Sequence, residues 1–106
     1  GGWVGVEVQD LAPELAESFN LKQSEGALIA GVLKGGPADA GGVRPGDILL
    51  AVNGRKVANS AALLNLIADL KPGTDARLTV TRKQQTLDLV VRVGRRPLQR
   101  AQPQEP

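Results

Sequence analysis

One segment of this chain holds turn-forming residues at closely fixed spacing, and it constrains the fold more than any other. Residues 35–54 read GGPADAGGVRPGDILLAVNG. Pro37 suits the first position of a single helical turn, and Gly41 or Gly42 can end that turn in a left-handed conformation. A second turn, RPGD, follows within a few residues. The segment predicts a small domain of short elements joined by tight turns.

Strands dominate the predicted elements. Ile48–Val52 is an aliphatic run of strand length, and Asn53-Gly54 after it is the strongest hairpin signal in the chain. The apolar run at 26–33 predicts a strand covered on both faces. Alternating apolar residues or short apolar runs predict strands at residues 2–8, 26–33, 76–82 and 86–93. Neighbouring strands with short connections favour a mostly antiparallel arrangement.

Two segments predict helices. Pro13–Phe19 opens with proline and carries acidic residues that suit the positive end of a helix. Ser60–Leu70 repeats leucine and isoleucine at helical spacing, with Asn59 or Ser60 as the N-cap. The predicted fold class is therefore α+β and mostly β, a small antiparallel β-barrel or sandwich of five to six strands capped by two helices.

The charge is balanced everywhere except near the C-terminus. The chain has 106 residues and a net charge of +2, and residues 1–93 contribute as many acidic as basic side chains. This balance, with Trp3 and Phe19 as the only aromatic residues, argues against a nucleic-acid partner. From residue 95 the apolar periodicity ends, which predicts a domain at 1–94 and a disordered tail at 95–106.

Most enzymatic chemistry lacks its usual residues here. The chain has no histidine and no cysteine, so it cannot form a Ser-His-Asp or Cys-His site or a thiolate site. Its acidic residues are scattered, and no phosphate-binding loop is present, so we expect neither a metal nor a cofactor. A Ser-Lys site using Ser18, Ser24 or Ser60 remains an alternative. Asp47, which follows a glycine in a turn, is expected to accept backbone hydrogen bonds.

Two motifs resemble one known family. Residues 36–54 resemble the most recognisable segment of PDZ domains, and Trp3-Val4-Gly5-Val6 resembles the carboxylate-binding loop of that family. A carboxylate loop at the very start is the bacterial, circularly permuted arrangement, similar to the DegS-like HtrA/Deg serine proteases. The resemblance covers residues 2–94. Gly41-Gly42 departs from the usual alanine-glycine-aliphatic pattern, and we expect this to loosen the turn without touching the groove.

The resemblance implies a groove that binds the C-terminal end of a polypeptide as an added strand. The terminal carboxylate would be held by the loop of Trp3, Val4, Gly5 and Val6, in which the backbone N–H groups of the last three residues can form a small anion site. Trp3 itself would either pack on the core or flank the loop. The peptide would lie between an edge strand at 5–9 and the helix at 60–70, although one of Leu63 and Leu64 is expected to be core. The implied groove residues are Val6, Glu7, Val8, Ser60, Leu63, Leu64 and Ile67.

The resemblance also implies partners and a compartment. The domain would recognise apolar C-termini of misfolded or outer-membrane proteins, and would regulate a trypsin-like endoprotease of the same chain or tether its substrates. The location would be the bacterial periplasm, with the fragment monomeric, the parent trimeric and no catalytic residue in the fragment. A start without Met is expected for a piece of a longer protein. The alternative parents are a site-2 metalloprotease, a C-terminal processing protease or a secretion-system component.

Overall fold

The computed structural model describes residues 1–21 and 25–98. In this part of the chain the order is strand, strand, helix, strand, helix, two strands, helix and three strands. The strands are β1 (Gly2–Trp3), β2 (Val6–Asp10), β3 (Ala27–Val32), β4 (Ile48–Val52), β5 (Arg55–Lys56), β6 (Asp75–Arg82), β7 (Gln85–Arg92) and β8 (Gly94–Arg95). The helices are α1 (Pro13–Ser18), α2 (Pro37–Ala40) and α3 (Ser60–Ala68).

The strands form one large sheet and one small one. The large sheet has the order β2-β3-β4-β6-β7, and β5 pairs with β4; β1 and β8 form the small sheet. All pairings among the described strands are antiparallel. These findings confirm the predicted fold class. They also place β2 at one end of this strand order and β7 at the other.

The core is aliphatic, as the composition predicts. Leu63 and Ile67 bring α3 onto the sheet, and a second cluster under α1 contains Leu11, Ala16 and Ile48 with the half-buried Phe19 at its margin. The fully buried large side chains are Ile29, Ile48, Leu49, Leu63, Leu78, Val4, Val43, Val52, Val57, Val80, Val91 and Val93. Helix α3 packs against β1, β2, β3 and β4, and the space between β2 and α3 is called the channel below.

Two predicted hairpin turns are present, and each has two residues with positive φ between paired strands. Asn53 (φ 50°) and Gly54 (φ 80°) make the two-residue turn between β4 and β5. Lys83 (φ 50°) and Gln84 (φ 64°) make an equivalent turn between β6 and β7 without any glycine. The loop predicted at 83–85 is therefore shorter, since Gln85 already belongs to β7.

The double glycine has more than the expected role. Gly42 ends the α2 turn at φ 91°, which agrees with the predicted left-handed position. A Cβ on Gly41 would lie 2.7 Å from Val91 Cγ2 and 2.8 Å from the Val90 carbonyl oxygen. Gly41 therefore lets α2 pack directly against β7, a role beyond the expected loosening of the turn.

Three expectations are corrected. The strand predicted at 2–8 is broken between Trp3 and Val6, because Gly5 has a φ of 77°. The strand at 26–33 is not covered on both faces, since Ala30 and Leu33 are exposed. Arg95, predicted to begin a disordered tail, pairs with Gly2 in β8. Residues 99–106 of that tail, and Ser24 among the candidate serines, lie outside the described residues.

Asp47 is buried and fully engaged. Its carboxylate accepts hydrogen bonds from Arg82 Nε and Nη2, both at 2.8 Å, and from the Arg44 backbone N–H at 2.9 Å. Arg82 Nη2 also donates to the Gly42 carbonyl oxygen at 2.7 Å. The hydrogen bonds to Asp47 raise the pKa of Arg82 further above its usual range. Asp47 thus ties the 44–47 turn to β6. The expected backbone donor to Asp47 is present, and the side chain of Arg82 is a further donor.

Candidate functional site

The loop between β1 and β2 is held in place through its carbonyl groups. The Val4 carbonyl oxygen accepts a hydrogen bond from the Ala38 N–H at 2.9 Å, at the first turn of α2. The Gly5 carbonyl oxygen accepts one from the Leu33 N–H at 3.0 Å, at the end of β3. The positive φ of Gly5 reverses the chain between these two anchors, a conformation that side-chain-bearing residues adopt only at a cost. The loop is therefore fixed before any ligand arrives.

Unlike these carbonyl groups, the N–H groups of the same loop do not anchor it to α2 or β3. Within the described residues, neither the N–H of Val4 nor that of Gly5 donates to a backbone carbonyl. Val6 pairs with Val32, and the bond from Leu33 to Gly5 marks Val6 and Val32 as a non-hydrogen-bonded pair. The N–H and C=O of Val6 therefore face the open edge of β2. Three consecutive backbone donors stand at one end of the edge strand.

Trp3 covers the outer side of this loop. A Cβ on Gly5 would lie 3.2 Å from Trp3 Cζ2 and 3.3 Å from Leu33 Cβ, and a Cβ on Gly94 would lie 3.3 Å from Trp3 Cε3. The indole thus packs between two glycines, and it is half-buried. Of the two interpretations of Trp3, the structure shows the one in which it flanks the loop.

A pocket of about 110 Å³ opens beside the loop, between β2 and α3. Leu64 forms part of its wall with 48% of its surface exposed, whereas Ile67 is 4% exposed at its base. A pocket of this kind can accept one aliphatic side chain while the adjacent N–H groups meet a carboxylate. The lining residues are Gly2, Trp3, Val4, Gly5, Val6, Leu64, Ile67, Ala68 and Arg96.

The predicted site residues fall into three groups. The four loop residues, with Leu64 and Ile67, come together around the pocket. Val8 and Ser60 are half-buried and lie outside the pocket lining, on β2 and at the start of α3. Glu7 is exposed and its side chain lies against Gly31 of β3, so it faces away from α3. Leu63 is fully buried in the core, so its side chain is not available to a ligand, and Leu63 is the member of the Leu63/Leu64 pair that belongs to the core.

Sequence reasoning missed three lining residues, namely Gly2, Ala68 and Arg96. Gly2 and Arg96 reach the pocket through the pairing of β1 with β8, where Gly2 faces Arg95. A two-residue strand leaves no periodic signal, so nothing in the sequence indicated that residue 96 returns to the loop. Ala68 is the last residue of α3 and could have been found by extending the Leu64 face by one turn.

The far end of the channel is fixed by a hydrogen bond between its two walls. The Ser60 N–H donates to Asp10 Oδ1 at 2.8 Å, which ties the end of β2 to the start of α3. Hydrogen bonds from Ser60 hold the pKa of Asp10 below its usual range. Asn59 caps the helix by accepting the Ala62 N–H at 2.8 Å. The spacing between edge strand and helix is thus set at both ends, by the loop and by Asp10.

The described residues contain neither a clustered metal site nor a membrane-spanning helix. In the part of the chain that the structure describes, no three or more acidic, histidine or cysteine side chains are grouped so that they could hold a metal ion. Among those residues no helix is both long enough and apolar enough to cross a membrane.

The sequence matches the profile described as PDZ domain over residues 2–93. The chain belongs to the PDZ domain family. The match includes the N-terminal loop, the helix beside it and the whole large sheet, so the loop and pocket described above are parts of a PDZ domain.

Curated relatives are bacterial proteases. The chain is 42% identical over 96 residues to a probable periplasmic serine endoprotease DegP-like of Hahella chejuensis, covering 91% of this chain and 20% of that protein. It is 46% identical over 96 residues to the protein of the same name in Pseudomonas savastanoi pv. phaseolicola, with the same coverage. The chain thus spans about a fifth of the length of the curated relatives it matches.

Solved structures agree in fold. The HtrA-type protease AlgW with a decapeptide superposes with a TM-score of 0.81 at 40% identity, over 92% of this chain and 30% of that one. The HtrA3 PDZ domain bound to a phage-derived ligand, FGRWV, superposes with a TM-score of 0.73 at 25% identity, over 88% of this chain and 85% of that one. The second is a separate PDZ domain of comparable length.

Proposed function

We propose that this domain binds the apolar C-terminal end of a polypeptide by adding it as a strand to the open edge of β2. The observation that carries the proposal is the set of N–H donors at Val4, Gly5 and Val6 beside the pocket under Leu64. Those donors suit a carboxylate, the pocket suits the last side chain, and the open edge of β2 suits the peptide backbone.

The pocket defines the class of ligand. Its walls are aliphatic apart from Trp3 and Arg96, and its volume of about 110 Å³ suits a single apolar side chain. We expect ligands that end in Val, Ile, Leu, Phe or Ala with a free carboxylate. A short peptide loses conformational freedom on binding, which limits its affinity. We therefore expect a dissociation constant of about micromolar, which corresponds to a binding free energy of about −8 kcal/mol.

The parent protein is the next step of the proposal. Relatives named as periplasmic DegP-like serine endoproteases support a periplasmic HtrA-type protease as the parent, in which this domain regulates proteolysis or tethers substrates. Two similar structures contain peptides, a decapeptide with AlgW and FGRWV with the HtrA3 domain, and the latter peptide ends in an apolar residue. The natural ligands would be exposed C-termini of misfolded or outer-membrane proteins.

Calorimetric titration tests the binding mode. Two peptides, FGRWV and one ending in Tyr-Tyr-Phe, are each titrated as the free acid and as the C-terminal amide. The free acid should bind at about micromolar concentration and the amide at least about tenfold more weakly, because the amide loses charge-assisted hydrogen bonds to the loop.

Equal binding of acid and amide would show that the loop does not read a carboxylate, and the proposal would then be wrong. A lack of binding by all four peptides would also count against it. That result would favour a PDZ domain of another kind of parent, in which the groove accepts an internal segment or none.

A further inference from the structure

A second cavity, of about 430 Å³, opens between the end of α1, the 44–47 turn and the turn that joins β6 to β7. We call this cavity the basic pocket. It shares no lining residue with the pocket beside the β1–β2 loop, and it is larger than that pocket, whose volume is about 110 Å³. The lining residues are Ser18, Phe19, Arg44, Pro45, Gly46, Asp47, Arg82, Lys83 and Gln84.

The basic pocket carries more positive than negative charge. Asp47 is the one acidic residue in its lining, and its carboxylate is already bound by Arg82 and by the Arg44 backbone N–H. Arg44 and Lys83 are exposed, and neither side chain belongs to the ion pairs found in the described part of the chain. Two cations from different turns thus border the cavity without an acidic partner among the described residues.

The β6–β7 turn holds its part of this lining in an unfavourable backbone conformation. Lys83 and Gln84 have φ values of 50° and 64°, in the left-handed region that is costly for residues with a side chain. The β4–β5 turn instead has Asn53 and Gly54, the residue types that such turns prefer. Backbone strain of this kind clusters at ligand sites, where it positions a side chain. Here it places two long polar side chains at the cavity.

We propose that the basic pocket is a second binding site, which takes an acidic segment of another polypeptide. Arg44 and Lys83 attract its Asp or Glu side chains, because guanidinium and ammonium groups form charge-assisted hydrogen bonds with carboxylates. An apolar side chain of the same segment packs on the half-buried Phe19 and on Pro45. A free inorganic anion would use neither this apolar surface nor most of the volume, which is why the occupant is a polypeptide.

Nitrogen–proton correlation NMR of the 106-residue chain tests the site residue by residue. The probe is the blocked peptide acetyl-EFDE-amide, which has no C-terminal carboxylate for the β1–β2 loop. Its control is acetyl-QFNQ-amide, which has a similar shape and no acidic side chain. The acidic peptide should shift the amide resonances of the basic pocket with a dissociation constant of about a millimolar, and the control should bind at least about fivefold more weakly.

Two double variants identify the charges that select the ligand. Arg44→Gln with Lys83→Gln removes both cations of the basic pocket, and Arg55→Gln with Lys56→Gln removes two exposed cations of β5 outside its lining. The net charge falls equally in both, and the Arg44 backbone N–H that binds Asp47 is retained. The first variant should bind the acidic peptide about fivefold more weakly and the second within about twofold of the unsubstituted chain.

Urea unfolding of the variants is measured first, and the midpoints should agree because the substituted side chains are exposed. If the pocket variant is nevertheless unstable, Lys83→Gln alone takes its place, with Lys56→Gln as its control. The weakening should then be about twofold to threefold, and about 1 M salt should abolish it, since the Debye length is then about 3 Å.

Several results would overturn the proposal. Equal binding of the two peptides, or equal losses in the two double variants, would show that the charge of the basic pocket does not select the ligand. Shifts confined to the channel, or no shifts above the expected dissociation constant, would place no ligand in the basic pocket. If inorganic phosphate shifts the same resonances as strongly as the acidic peptide does, the pocket takes small anions instead of a polypeptide.

The result is independent of the proposed function. FGRWV as the free acid should bind the unsubstituted chain and both double variants with the same affinity, because the two pockets share no residue. A failure of the acidic peptide therefore leaves C-terminal recognition at the β1–β2 loop in place, and a failure of FGRWV leaves the basic pocket in place.

Discussion

Two places in this domain bring an arginine close to one or more backbone N–H donors, and the described structure supplies a carboxylate to one of them. In the 44–47 turn, Asp47 accepts hydrogen bonds from Arg82 and from the Arg44 N–H. At the β1–β2 loop, the donors of Val4, Gly5 and Val6 lie beside Arg96, which lines the same pocket. Both places suit a carboxylate; the protein itself completes the first, and we propose that a ligand completes the second.

The comparison distinguishes polar groups that stabilise the fold from polar groups that are available to a ligand. Asp47 is 1% exposed, and removing its partner would leave an unpaired charge buried in the protein. The donors of the loop can be solvated when no ligand is present, because they face an open strand edge and a pocket. Changes at the Asp47 site should therefore alter stability and spare ligand affinity, and changes at the loop should lower ligand affinity beyond any effect on stability.

The largest effect is expected from Arg82→Gln. This change leaves the Asp47 carboxylate buried with the Arg44 N–H as its remaining donor, so the free energy of unfolding should fall by about 3–5 kcal/mol in urea denaturation. Arg92→Gln is the control, since Arg92 pairs with Asp75 while their side chains are 70% and 56% exposed. That substitution should cost less than about 1 kcal/mol.

Peptide affinity is measured on the same two proteins under conditions in which both are folded. It should stay within about twofold of the unsubstituted chain, because distant sites with no shared partner act independently. A large loss of affinity in Arg82→Gln would break the comparison, as it would show that the two sites communicate.

The next effect is expected from Gly5→Ala. A Cβ at this position is unfavourable at φ 77° and would lie 3.2 Å from the indole of Trp3, so the loop should relax away from its present shape. Peptide affinity should then fall about tenfold or more, the equivalent of about 1.4 kcal/mol. Calorimetric titration with the free-acid peptide measures the loss.

Gly73→Ala separates backbone strain from binding. Gly73 also has a positive φ, 86°, and a Cβ there would meet no heavy atom within 4 Å. Both substitutions should lower the free energy of unfolding by about 1–2 kcal/mol, but Gly73→Ala should retain the affinity of the unsubstituted chain. Similar peptide affinities for the two variants would show that the β1–β2 loop is not part of the ligand site.

Local chemistry explains which parts of this structure could be predicted from the sequence. The turns at Pro37, Gly42 and Asn53-Gly54 were predicted, because each depends on the conformational preference of one or two residues. The resemblance predicts a carboxylate-binding loop at residues 3–6; the structure shows the positive φ of Gly5 there, and the binding of a carboxylate stays a prediction. The mostly antiparallel class followed from the number and length of the apolar runs.

The remainder depended on tertiary contacts that leave little trace in sequence. The pairing of β1 with β8 involves two residues on each side, and it brings Arg96 to the pocket from the far end of the domain. The need for Gly41 comes from Val90 and Val91, which are about fifty residues away. Lys83 and Gln84 form a turn that usually selects glycine, so the pairing of β6 with β7 must enforce it.

Leu64, on the helix beside the pocket, should give the smallest of these effects on peptide affinity, and its neighbour Leu63 provides a direct comparison. Leu63 and Leu64 are equivalent in the helical pattern, and adjacent residues on a helix differ by about 100° in direction. The structure turns Leu63 into the core and leaves Leu64 48% exposed at the pocket. Leu64→Ala should therefore weaken peptide binding about fivefold, about 1 kcal/mol of lost apolar contact, and should barely change urea unfolding.

Leu63→Ala is the matched change on the other face of the helix. It should lower the free energy of unfolding by about 2–5 kcal/mol, because it leaves a cavity in the core, and it should leave the affinity of the folded protein nearly unchanged. A reversal, with Leu63→Ala weakening the peptide and Leu64→Ala lowering stability, would mean that α3 is rotated relative to β2. In that case Leu63, rather than Leu64, would form the apolar wall of the ligand pocket. The Asp47 site has no such wall, so this part of the comparison would remain.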